Sequence, residues 1–131
     1  MADKKGIVDI SGLSSPPEKH ELEVANYFAE KGKDVKFIEP QRTKGTHTPD
    51  IEMDGVAWEV KSPKGKSKRT IENNFRQAVL QSRYIIFDLR HIGISEKQCM
   101  AQLEKEFGNR KYVKRLLVIK KDGELIEFPQ K

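Results

Sequence analysis

The 131-residue sequence predicts an α/β domain with a mixed central sheet flanked by helices. Two observations predict it. Apolar residues recur at helical spacing in three stretches and at strand spacing in short runs between them, giving the order αβββαβαββ. Asp54-Gly55, between apolar runs ending at Met53 and starting at Val56, is a strong two-residue hairpin signal, because both central positions of a type I′ turn require positive φ.

Residues Met1 to Pro17 are rich in Ser, Gly, Lys and Pro, with only Ile7, Val8, Ile10 and Leu13 to bury. They read as a flexible leader or linker, and the folded domain is expected over 18–131. A helix is expected from Glu18 to Lys31, closed by Gly32, then a strand from Val35 to Ile38 and a flexible segment from Pro40 to Thr46. The two hairpin strands follow. A basic loop from Ser62 to Arg69 leads into a helix from Thr70 to Arg83, and the aromatic, apolar run Tyr84 to Leu89 suits a buried strand. The last helix is expected from Ser95 to Phe107, with Ser95 as N-cap and Gly108-Asn109 as stop signals. Arg115 to Lys120 and Leu125 to Phe128, joined through Asp122-Gly123, form a final hairpin.

One domain of this length buries a real core without covalent help. Cys99 is the only cysteine, so no intramolecular disulfide forms, and a reducing cytosol suits the chain. The formal net charge of +5 favours an anionic partner such as nucleic acid. No apolar run reaches membrane-spanning length and the N-terminus lacks a hydrophobic signal core, so no membrane partner is expected and nothing here exports the chain unaided. His20, His47 and His91 are scattered, which argues against structural zinc, and no Gly-rich phosphate cradle is present.

The hairpin fixes a register. If the turn has two residues, Met53 faces Val56 and Asp50 falls opposite Glu59, while alternation puts Glu59 and Lys61 on the same side. Facing like charges destabilise a ladder unless a cation compensates, which is the arrangement of a metal-dependent phosphodiesterase. The alternative is a wet, charged face opposite the apolar face of Ile51, Met53, Val56, Trp58 and Val60. On the first helix Glu21 falls inside the apolar arc of Leu22, Val24, Ala25, Phe28 and Ala29. It either reaches past the core to first-turn amides or points toward Asp50 and Glu59 as a third carboxylate. Lys61, Lys64, Lys66, Lys68 and Arg69 run without an acidic residue, either as solvated surface or as a phosphate-binding loop beside the candidate site. Asn74, Gln77 and Gln81 form an uncharged polar stripe that suits substrate contact or an ordinary helix boundary, and His47 is close enough in sequence to touch substrate.

Glu21, Pro49-Asp50, Glu59-Val60-Lys61 and the helix after them resemble the PD-(D/E)XK nuclease superfamily, whose αβββαβ core fits Glu18 to Leu89. The last helix and hairpin would be additions to that core. Trp58 to Pro63, with the following Lys/Gly loop and Asn-rich helix, looks like the C-terminal tRNA-nuclease toxin domains of contact-dependent growth inhibition proteins. The resemblance implies an endonuclease that cleaves tRNA and holds Mg²⁺, Mn²⁺ or another divalent cation through Asp50, Glu59 and the Val60 carbonyl. Glu21 and Lys61 would join the catalytic set. His47, Lys64, Lys66, Lys68, Arg69, Gln77 and Gln81 would bind substrate. It also implies an immunity protein as partner, delivery on a larger secreted or surface toxin, and action in the bacterial cytoplasm. Two other readings stay open: a DNA endonuclease on the same scaffold, and a non-catalytic basic binding module.

Overall fold

The computed structural model describes residues 4–41 and 47–130. Among the described residues seven strands and three helices form two compact units whose sequences meet at the Trp58–Glu59 bond. Strand β4 (Val56–Lys61) runs through that boundary.

The first unit contains β1 (Val8–Asp9), α1 (Lys19–Glu30), β2 (Val35–Phe37), β3 (Ile51–Met53) and the start of β4. β1 lies parallel to β2, β2 antiparallel to β3, and β3 antiparallel to β4. Met53 pairs with Val56 and Ile51 with Trp58, the register that the Asp54-Gly55 turn dictates. Both turn residues have positive φ, 55° and 80°, as type I′ geometry requires. Val24, Ala25 and Phe28 of α1 are buried, as are Val35, Phe37, Ile51, Met53 and Trp58 of the strands. Burying a large apolar side chain of this kind contributes about 1.5–3 kcal/mol. The Trp58 indole N–H, which would be costly to bury alone, donates to the Met53 carbonyl at 3.0 Å.

Two expectations need correction here. The leader expected over 1–17 is not structureless among its described residues, and no boundary falls at Pro17. The Gly6 amide donates to the Ala29 carbonyl at 2.8 Å, the Val35 amide to Ile7 at 2.8 Å, and the Ile7 amide to Asp34 Oδ1 at 2.9 Å. A Cβ on Gly6 would overlap the Lys33 carbonyl, so only glycine allows that approach. The segment expected to be flexible, Pro40 to Thr46, lies largely outside the described residues.

The second unit holds the end of β4, then α2 (Thr70–Ala78), β5 (Tyr84–Asp88), α3 (Glu96–Asn109), β6 (Arg115–Ile119) and β7 (Leu125–Phe128). β4, β5 and β6 are mutually parallel neighbours, and β7 returns antiparallel to β6. Parallel neighbours need crossovers, which α2 and α3 supply. Ile71 and Phe75 of α2 and Cys99 and Leu103 of α3 pack with Ile85, Phe87, Leu116 and Val118 into one apolar core. Ser95 caps α3 by accepting from the Gln98 amide, as its sequence position predicts.

The second correction concerns α2, expected to reach Arg83 but ending at Ala78. Its carbonyls are satisfied by tightened turns, Leu80 amide to Gln77 and Gln81 amide to Ala78, and the Ser82 hydroxyl accepts from the Tyr84 amide at the strand entrance. Helical spacing of Val79 and Ser82 therefore continues past the point where the helix stops.

Candidate functional site

In the first unit Asp50 precedes β3 and is pinned on both sides of its backbone. Its amide donates to the Trp58 carbonyl at 3.0 Å, and its carbonyl accepts from the Ile38 amide at 3.0 Å. Glu21 lies in the first turn of α1, where the helix dipole favours negative charge. The two side chains meet in a hydrogen bond. Burial, and then the hydrogen bond with Asp50 and its charge, push the Glu21 carboxyl up to about 8. Burial and the neighbouring carboxylate therefore favour the protonated form of Glu21. Glu21 does not escape past the core, its side chain being 18% exposed, but it also accepts from the Glu18 backbone amide, so the first-turn amide contact expected as the alternative is present beside the contact with Asp50.

Glu21 and Asp50 line a hollow of about 250 Å³ with Glu18, Glu39 and the apolar surfaces of Leu13 and Phe37. Glu39 was not singled out by sequence. Its carboxylate is fixed by the Ser14 amide at 2.7 Å and the Ser14 hydroxyl at 3.2 Å. Only the unpaired look of Glu-Pro after an apolar strand could have drawn notice to it. His47 is exposed and is not among the residues lining the hollow.

In the second unit Glu59 is 6% exposed, so the wet charged face is not what forms at this position. Lys61 Nζ lies 3.4 Å from Glu59 Oε2, with 20% of its side chain exposed. Strand alternation brings the pair together, and parallel pairing with β5 at Ile85 and Phe87 holds both backbones. Val60 between them is buried. Ser62, which sequence did not single out, carries a buried hydroxyl with no hydrogen-bond partner among the described residues. Asp88 also went unnoticed. It is 1% exposed at the end of β5 and holds Arg90 through two contacts of 2.9 Å.

Lys64, Lys66, Lys68 and Arg69 are all exposed on the loop between β4 and α2. The Gly65 carbonyl accepts from the Gly93 amide at 3.0 Å, which ties this loop to the segment following β5. Gln77 is exposed on α2, whereas Gln81 lies in the turn after it, and the Asn74 side chain donates to the Thr70 carbonyl at 2.8 Å. The polar stripe expected along one helix edge is thus broken by the early end of α2 and by the use of Asn74 within its own helix.

The donor chemistry of these residues is that of a hard cation, which prefers oxygen ligands. Among the described residues no group of three or more His, Cys, Asp or Glu side chains could by itself hold a metal ion. A cage made wholly of side chains is therefore not offered. Mg²⁺ asks for less, one or two carboxylates and several retained waters, and the Glu21 and Asp50 carboxyls that meet at the hollow are donors of that class.

The fold is similar to that of a chain of the CdiA-CT/CdiI toxin and immunity complex from Burkholderia pseudomallei. The TM-score is 0.68 at 20% identity, over 94% of this chain and 98% of that one, which shows a common fold. Residues 46–125 match the contact-dependent growth inhibition CdiA C-terminal domain, and the chain belongs to that family. No curated protein matches it. No helix among the described residues is long and apolar enough to cross a membrane.

Proposed function

We propose that this domain is a metal-dependent endoribonuclease that cleaves tRNA, acting as the toxin of a contact-dependent growth inhibition protein. The observation that carries the proposal is the hydrogen bond between the Glu21 and Asp50 side chains, two acids brought together although their charges repel. Such a pair is stable only when positive charge is supplied, and a divalent cation can replace the proton. Asp50 is bonded through its amide to Trp58, and Glu59 is the next residue, with Lys61 beside it. In this reading Asp50, Glu59 and the Val60 carbonyl hold Mg²⁺ or Mn²⁺, and Glu21 completes the set directly or through water.

A cation held there would polarise the scissile phosphate and acidify the attacking water. Lys61 orients that water and offsets the charge that develops on phosphorus oxygens in the transition state. Its ammonium is kept in place by Glu59. Lys64, Lys66, Lys68 and Arg69 grip flanking phosphates, with His47, Gln77 and Gln81 as further substrate contacts. A cognate immunity protein is the expected partner, by analogy with the toxin and immunity complex that shares the fold. Delivery on a larger surface protein into a bacterial cytoplasm follows from the family and remains part of the proposal.

The test offers purified protein total tRNA and supercoiled plasmid side by side, with Mg²⁺ or with EDTA. Discrete tRNA fragments with Mg²⁺, absent with EDTA and absent for Glu59→Ala, are expected. Cleavage of plasmid alone points instead to a DNA endonuclease. Salt-sensitive binding without products under any divalent cation points to a non-catalytic module, and Glu59→Ala cutting at the wild-type rate removes the assigned residues from the chemistry.

A further inference from the structure

The second unit carries a basic and aromatic surface that takes no part in the site above. It lies where α2 ends, where β5 begins and where the chain turns from α3 into β6. The Arg83 guanidinium sits 4.7 Å from the centre of the Tyr112 ring, and its Nε donates to the Tyr112 carbonyl at 3.1 Å. The Lys114 amide donates to the Arg83 carbonyl at 2.8 Å, fixing the two segments against each other. Tyr112 is 52% exposed and Leu80 is 60% exposed, a large apolar commitment to solvent in a chain of this size. Val79, Arg110, Lys111 and Tyr112 surround a shallow hollow of about 390 Å³.

Charge decides what fits. Arg110 is occupied by Glu106 at 3.0 Å, and Arg115 by Glu127 at 2.8 Å. Among the described residues Arg83, Lys111 and Lys114 form no ion pair with a carboxylate, and all three are exposed. Positive charge beside an exposed ring braced by a guanidinium matches a phosphate followed by a base, since the ammoniums take the anion and the ring takes the π-face. An acidic protein surface would use the charges but leave the ring and Leu80 without a partner.

We propose that this surface is a second nucleic-acid contact, which binds a single-stranded RNA segment through phosphate contacts at Lys111 and Lys114 and base stacking on Tyr112. It deepens the nuclease reading, on which it rests for the identity of the polyanion. Within this unit it lies at the opposite end of β5 from the loop of Lys64 to Arg69. That loop is tied through Gly65 to the segment after β5, whereas Tyr112 is tied to Arg83, just before it. A five-residue strand separates the two ends by about 15 Å. A strand of RNA reaching from one to the other would span several nucleotides beyond the cut.

The experiment measures fluorescence anisotropy of a labelled 20-nucleotide single-stranded RNA in EDTA. Wild type, Lys111→Glu/Lys114→Glu and Tyr112→Trp are compared across a salt series. The double variant is expected to bind about tenfold more weakly or worse, with its salt slope lower by about 1.4, the value for two phosphates lost on a single strand. Tyr112→Trp keeps binding, and its added emission is quenched when RNA arrives. Unchanged affinity and slope in the double variant overturn the proposal, as does a Tyr112→Trp signal indifferent to RNA. If the double variant loses only affinity for the immunity protein, the surface is a protein contact and the proposal fails. Should wild type cut no RNA with Mg²⁺ while the double variant still loses RNA binding, the nuclease reading fails and this contact stands.

Discussion

The raised Glu21 carboxyl ties stability to pH with a sign opposite to that of a salt-bridged carboxylate. Glu21 titrates near 4.5 when unfolded and near 8 when folded. Between those values the folded state holds a proton that the unfolded state has released, so stability falls as pH rises through the window and levels off beyond it. For a side chain partly in contact with water the loss is about 1–2 kcal/mol in all. Urea unfolding of wild type and Glu21→Gln at pH 5, 7 and 9 should show the variant losing less stability over the range; parallel curves would refute the raised Glu21 carboxyl. Glu59 and Lys61 make a different demand. Removing Lys61 leaves a buried carboxylate without its ammonium, so Lys61→Ala is expected to cost about 1–3 kcal/mol. Adding Glu59→Gln to that variant should restore most of the loss in the same assay without restoring cleavage. Sequence pattern exposed the carboxylates and the lysine but not the burial of Glu59. A charged residue alternating with apolar ones reads as a solvent face, and only pairing with β5 shows otherwise.

At the scale of elements, the hairpin was the most legible part of the chain, because its turn chemistry leaves few choices. Gly55 at φ 80° has open space around it, so Gly55→Ala meets only backbone strain and should lower stability by about 1 kcal/mol. A shift in the urea midpoint with unchanged slope would check this; no shift would mean that the turn relaxes to another type. Lys33 Nζ adds a contact at 3.0 Å to Asp54 in the same turn, outside the reach of any local pattern. β1 was not legible for a plain reason. Two residues carry too little alternation to register, and their strand character comes from Val35 and Asp34, almost thirty positions away. The end of α2 was missed for the reverse reason, since apolar spacing outlived the hydrogen-bonded helix.

Across the whole molecule, charge is the property that composition conveyed best. A net charge of +5 is carried by surfaces such as the Lys64 to Arg69 loop, so the rate of RNA cleavage under limiting substrate should drop steeply between 50 and 200 mM salt. Replacing Lys64, Lys66 and Lys68 by Ala should flatten that dependence, and an unchanged salt profile would rule the loop out as a phosphate grip. The order of elements from α1 to β5 was readable because each is long or strongly patterned. Which carboxyls meet was not, since that depends on Asp50 being held by Trp58 on one side and Ile38 on the other.

The way Gly6 is sewn to Ala29 has a practical corollary for anything fused upstream of this sequence. The Lys4 carbonyl lies near Gly32, so a carrier or tag joined there leaves the first unit beside the last turn of α1. Pro16 and Pro17 sit at the rim of the acidic hollow, past the stitched strand, so a passenger at the front of the chain departs from one end of that helix while Glu21 lies at the other.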